Sequence, residues 1–252
     1  MLILLPPSEG KTPARRGRTL DLDSLSFPEL TDQRAAVVDA VGAASTEPDA
    51  HAVLGVNPNL VAEMERNTRL RSAPTAAAVS VYTGVLYQAL GYTTLDTAAR
   101  RRAHRQVAIV SAMFGLLRLT DRVPAYRLDV CATLPGVGYL AREWRPHLAL
   151  ALEAAVRPTE VVVDCRSSTY AGLWRPTGAL AERWVQVAVP GASHMAKHTR
   201  GLVTRELVRA DAPRTPGALA EQLAARFDVE LAEPPKPGRP WVLSVHEPVG
   251  SP

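Results

Sequence analysis

The feature that most constrains this chain is the stretch from Val107 to Val130, VAIVSAMFGLLRLTDRVPAYRLDV. Val107, Ala108, Ile109 and Val110 form a short apolar run rich in β-branched residues, the pattern of a buried strand. After Ser111 the pattern changes. Gly115 and two leucines lead into a mixed-charge segment with Arg118, Asp121, Arg122 and Arg127, and Pro124 stops any helix there. The expectation is a buried strand that ends in a glycine-containing, arginine-rich loop. Open α/β sheets present ligand-binding groups in this way, at the carboxyl ends of their strands. A surface loop with solvated arginines is the plainer reading of the same residues.

The rest of the chain supplies elements for such a sheet. Met1–Leu5, Glu160–Asp164 and Trp184–Val189 read as further strands, and Trp241–Val245 as an edge strand inside a proline-rich segment, residues 233–252. Helical patterns begin at Thr31, a candidate N-cap followed by Ala35, Val38 and Val41, and after Asn57-Pro58. Further helices are expected at about 139–156, 193–209 and 218–227, whereas 76–90 is ambiguous between helix and strand. With 252 residues and 46% hydrophobic content the core is ample, and no internal repeat or domain boundary shows. The expected fold is α/β: one compact domain, 1–252, with a mixed central sheet flanked by helices.

Composition narrows the function classes. A formal charge of +4 permits a polyanionic partner without requiring one. Two cysteines, Cys131 and Cys165, provide no disulfide framework and fit a reducing cytoplasm. The apolar run at the amino terminus is too short for a signal peptide, and no stretch is long enough to span a membrane. Of the 29 basic residues only Lys11, Lys197 and Lys236 are lysine. Lysine, unlike arginine, can lose its proton when desolvated. The scarcity marks Lys11 and Lys197 as candidates for a chemical requirement, with chance placement as the alternative.

Several segments carry candidate chemistry. Gly10-Lys11-Thr12 looks like the end of a P-loop, but the earlier glycine is missing and prolines occupy the approach, so a weaker anion site just past a strand end is what remains. Arg100, Arg101, Arg102, His104 and Arg105 form the densest basic cluster, either one solvated helical face or a footprint for a phosphate backbone. Leu134-Pro135-Gly136-Val137-Gly138 resembles the hairpin of a helix-hairpin-helix module, although a plain Pro-Gly turn also accounts for it. Asp164 ends a strand and is followed by Cys165, Arg166 and a Ser/Thr run suited to opening a helix. His194 and His198 have the spacing of a metal pair but lack a third ligand, so no metal and no cofactor is expected.

The first strand leading to Lys11, VYTGVLYQ at 81–88, SAMFGLLRLTDRVPAYRLDV at 111–130, VVVDCRSSTYAGLWRP at 161–176 and SHMAKHTRGLVTREL at 193–207, spread in this order over the chain, resemble the YaaA-like peroxide stress resistance family. The resemblance implies a single α/β fold with a positively charged cleft and a helix-hairpin-helix-like element. It also implies cytoplasmic DNA binding and protection of DNA and protein when peroxide meets free iron. By the same resemblance Lys11, Tyr82, Arg118, Asp121, Tyr126, Arg127, Lys197, Arg200 and Gly201 would line the cleft. The sequence departs from the commoner family pattern at PPSEGK, Met113-Phe114 and CRSSTY, all on the expected cleft.

Two functions of different class follow. In one, the protein binds DNA non-specifically through phosphate contacts, Arg166 joining the residues above, and serves the oxidative stress response. In the other, it is an enzyme on a small anionic or nucleobase-like substrate. Lys11 or Lys197 would then be base or nucleophile, Asp164 or Asp121 its partner, and Arg118, Arg127 and Arg200 anion clamps.

Overall fold

Leu2–Leu5 (β1), four buried apolar residues in a row, takes an interior place in a seven-stranded sheet in the computed structural model, which describes residues 1–191 and 193–246. A central parallel strand has both faces covered, so its sequence has no reason to alternate. The other strands follow in chain order. They are Ala76–Ala77 (β2), Val107–Ser111 (β3), Gly115–Arg118 (β4), Arg122–Val123 (β5), Thr133–Leu134 (β6) and Gly138–Tyr139 (β7), then Val162–Asp164 (β8), Trp184–Ala188 (β9), Asp228–Ala232 (β10) and Trp241–His246 (β11).

The large sheet runs β10-β11-β9-β8-β1-β3-β4. Its five inner strands are parallel, with Ile3 opposite Val107 on one side and Leu4 opposite Asp164 on the other. Antiparallel β4 and β10 close the two edges. The sheet is therefore mixed and flanked by helices, an α/β fold in a single domain, as the sequence pattern predicts. The helices expected at 31, after 58, at 139–156, at 193–209 and near 218 form as Thr31–Ala44, Val61–Asn67, Leu140–Ala155, Ser193–Arg209 and Pro216–Ala224. The ambiguous stretch divides into β2 and two short helices, Ala78–Val81 and Val85–Leu90, with Gly84 at the break.

Four expectations need correction. The segment after Ser111 is not a loop. Met113, Phe114, Leu116 and Leu117 are fully buried, and the chain reverses at Gly115 (φ 68°) into β4. A side chain at Gly115 would stand 2.6 Å from the Trp144 ring. Buried Arg34 holds this reversal, its guanidinium donating to the Phe114 carbonyl at 3.0 Å and the Leu116 carbonyl at 2.6 Å.

The strand at Trp241–His246 is interior, not an edge. Leu243 and Val245 are completely buried, and the edge position falls to β10, whose residues are exposed or half-buried in alternation. Thr31 opens its helix without capping it, because the 3₁₀ turn Pro28–Leu30 runs straight into it. Residues 133–139 form a small β-hairpin leading into Leu140–Ala155, but residues 124–132 before it hold no helix, so the helix-hairpin-helix element is not built here. The last part of the proline-rich segment, residues 247–252, lies outside the described residues.

Candidate functional site

From β1 the chain crosses to β3 on one side of it, and later returns to β8 on the other. The carboxyl end of β1 is thus the point where strand order reverses, the place where open α/β sheets leave a crevice. A pocket of 680 Å³ lies there. Residues 6–11 beyond β1 and Ser167, Ser168 and Tyr170 beyond β8 line it, together with Gln186 of β9, residues 126–129 and one side of the helix Ser193–Arg209.

Lys11 is fixed by its backbone. Pro6 and Pro7 end β1, and Lys11 then forms an antiparallel bridge to Tyr82, flanked by Thr12 N–H donating to the Val81 carbonyl (2.9 Å) and Thr83 N–H to the Gly10 carbonyl (3.2 Å). Its half-buried side chain reaches over the Tyr126 ring, with Nζ 4.1 Å from the centroid and 5.5 Å from that of Tyr82. The nitrogen donates to the Glu9 carbonyl at 3.4 Å. Burial, and then the neighbouring Arg127 charge, lower its pKa to about 7 against the opposing pull of Glu63 and Glu9. Near neutral pH a large share of Lys11 is therefore the free amine, which can accept a proton or attack an electrophile.

Tyr126 is positioned from below. Its hydroxyl exchanges hydrogen bonds with Ser111 Oγ at the end of β3 (2.8 Å) and with Tyr82 Oη (2.9 Å), while the Phe114 N–H donates to Ser111 Oγ (3.1 Å). Burial pushes the Tyr126 pKa up to about 12, so this hydroxyl stays protonated. Tyr82 is buried and joins the site through Tyr126.

Arg127 is held at its backbone by Asn67, which accepts from its N–H (3.0 Å) and donates to its carbonyl (2.7 Å). Its guanidinium pairs with Glu9 (3.2 Å) and Glu63 (3.8 Å). Lys197 and Arg200, three residues apart on one helix, both reach the pocket. Arg200 Nε donates to the Val187 carbonyl at 3.2 Å, which anchors the guanidinium at the end of β9. Gly201 acts at one remove. A Cβ there would lie 2.2 Å from the Leu86 carbonyl, so only glycine lets this helix approach Val85–Leu90 closely.

Four of the expected site residues lie elsewhere. Arg118 donates to the Arg105 and Val107 carbonyls (3.0 and 3.1 Å) at the amino end of β3, and Phe27 lies under its guanidinium. Asp121 is consumed by the Ser26 N–H and hydroxyl and the Arg118 N–H. Asp164 and Arg166 form a buried ion pair (2.7 Å) that also binds the Trp184 indole N–H and the Trp174 carbonyl. These groups hold the fold together and do not line the pocket. In the basic cluster, Arg102 donates to the carbonyls of Val208 and Arg209 and Arg100 to that of Thr93, so these two serve as braces between chain segments.

Glu9, Tyr87, Ser167, Tyr170 and Gln186 line the pocket without having been singled out from sequence, and so does His194, which the sequence offered only as half of a metal pair. The usable signal was position: Glu9 follows β1 directly, and Ser167 and Tyr170 follow β8.

What fold and site define is an α/β protein whose strand-order reversal holds an amine beside three further cationic side chains. The family model described as peroxide stress protein YaaA matches residues 1–230, and the chain belongs to this family. A UPF0246 protein of Streptomyces coelicolor is 42% identical over 97% of this chain and 98% of its own length. One from Corynebacterium efficiens is 43% identical over 92% and 96%. An uncharacterized protein of Campylobacter jejuni is 26% identical over 81% and 82%. Among the described residues no helix is long and apolar enough to cross a membrane.

Proposed function

We propose that this member of the family binds a small anionic molecule in the pocket and acts on it through the Lys11 amine, as base or nucleophile, in the cytoplasm. One observation carries the reading: an amine with its pKa near neutrality shares a pocket with Arg127, Lys197 and Arg200. Cations in a partly desolvated hollow attract an anion, and an unprotonated amine beside it is a reactive group. Cys131 and Cys165 are both free thiols, which suits a reducing compartment.

The DNA-binding reading has less support. Arg100, Arg102 and Arg118 are engaged with backbone carbonyls, and the first helix of the hairpin module is missing. Non-specific duplex binding needs several cations free to neutralise phosphates.

Calorimetric titration with inorganic pyrophosphate, run beside anisotropy of a labelled DNA duplex, tests the choice. The pocket reading predicts saturable pyrophosphate binding that weakens about tenfold in Arg200→Gln, as expected for one lost charge-assisted hydrogen bond. Absent pyrophosphate binding, with duplex affinity that falls steeply with salt and ignores Arg200→Gln, would favour DNA instead.

A further inference from the structure

Resting on the anion-pocket reading, we infer that Lys11 is a Schiff-base nucleophile and that the natural substrate carries an aldehyde or ketone in the same molecule as a carboxylate or phosphate.

The surroundings of the amine suit this role. Among the described residues Lys11 makes no ion pair, and its single hydrogen bond, to the Glu9 carbonyl, is long at 3.4 Å. What it faces is the Tyr126 ring, 4.1 Å away, whose hydroxyl is turned aside into bonds with Ser111 and Tyr82. An aromatic face stabilises a cation in a desolvated place. A protonated imine at Nζ is such a cation, formed at the position the ring already covers. Pro6, Pro7, Val85 and Leu86 provide apolar wall on the same pocket, which favours loss of water.

The reaction balances without any co-reactant. The Nζ lone pair attacks the carbonyl carbon and forms the C–N bond, and the carbonyl oxygen becomes a hydroxyl. Both amine hydrogens leave with that oxygen as water, giving C=N, and a solvent proton then makes the iminium. Arg127 is already shared by Glu9 and Glu63, so Lys197 and Arg200 on the facing helix are assigned the anionic group of the substrate. Tyr126 is a positioning residue in this scheme.

The scarcity of lysine makes the test direct, since only Lys11, Lys197 and Lys236 carry an ε-amine. The wild-type protein at pH 7 is incubated with pyridoxal 5′-phosphate, used purely as a phosphate-bearing aldehyde probe, reduced with borohydride and mapped by peptide mass. Pyridoxine 5′-phosphate, which has the phosphate but no aldehyde, is titrated in parallel. The expected result is an adduct on Lys11 forming at least about tenfold faster than on the other two lysines, because burial and the Arg127 charge favour its free amine. Pyridoxine 5′-phosphate should bind and protect it. Equal labelling of all three lysines overturns the inference. Binding of pyridoxine 5′-phosphate with no adduct on Lys11 also overturns it while leaving the anion pocket standing. Rapid labelling of Lys11 without pyridoxine 5′-phosphate binding supports the nucleophile and contradicts the anion pocket. No binding and no adduct removes both.

Discussion

Lys11 Nζ sits 4.1 Å from the centroid of the Tyr126 ring, and each partner is brought there by a different strand. Lys11 lies just past the proline stop of β1, and Tyr126 hangs by its hydroxyl from Ser111, the last residue of β3. Since β1 and β3 are adjacent and parallel, their carboxyl ends deliver both residues to the same side of the sheet. The contact thus follows from strand order, and it places the amine where burial lowers its pKa.

That shift links stability to pH. Folding lowers the Lys11 pKa from 10.5 to about 7, so between these values the unfolded chain binds more protons than the native one, and stability rises with pH. Below the folded value the cost of burying the ammonium is fully present, and above the unfolded value it has gone. In Lys11→Met this contribution is absent. Urea midpoints of wild type minus variant should therefore increase from pH 7 toward pH 10.5, and a flat difference would contradict the burial.

Tyr126→Phe separates ring from hydroxyl. It leaves the Ser111 and Tyr82 hydroxyls without their shared partner and should cost about 1–3 kcal/mol in chemical denaturation. The ring face under Lys11 survives, so pyridoxal 5′-phosphate labelling of Lys11 should persist, whereas Tyr126→Leu should slow it.

Gly201→Ala tests how the cationic helix is seated. Its Cβ would collide with the Leu86 carbonyl and stand 2.7 Å from Ala89 Cβ. Destabilisation of about 1–3 kcal/mol is expected, together with weaker pyrophosphate binding as Lys197 and Arg200 are displaced. Wild-type stability in the variant would mean the two helices are not in such close contact.

Asp164→Asn should lower stability without touching binding. The change breaks an ion pair buried on both sides and should cost about 3–5 kcal/mol. The fraction that remains folded should bind pyrophosphate with unchanged affinity, because the pair is not part of the pocket. Calorimetry below the shifted melting transition checks this.

Much of the architecture was legible because apolar runs such as LILL and VAIV have only one comfortable place, the doubly covered centre of a parallel sheet. Lys11 was legible through lysine scarcity and its place after a strand. Arg118, Asp121 and Asp164 misled for one physical reason: a charge after a strand looks the same in sequence whether it faces a ligand or satisfies a buried backbone group. MFGLL was read as a loop because Gly115 suggested one, although the flanking apolar residues mark a buried reversal. The β10 strand escaped notice because DVELA is half polar and follows a helix closely. Tyr87 and His194 lie in helices, where only the three-dimensional arrangement shows which face meets the pocket.

The titration of Lys11 itself is the most direct measurement. Protein labelled with ¹³C at the lysine ε-carbon should give three resonances, assigned by Lys11→Arg and Lys197→Arg. A Lys11 midpoint at about pH 7 is the predicted result. A midpoint at the ordinary 10.5 would mean that the amine is a solvated ammonium, and the proposed chemistry at this site would have no basis.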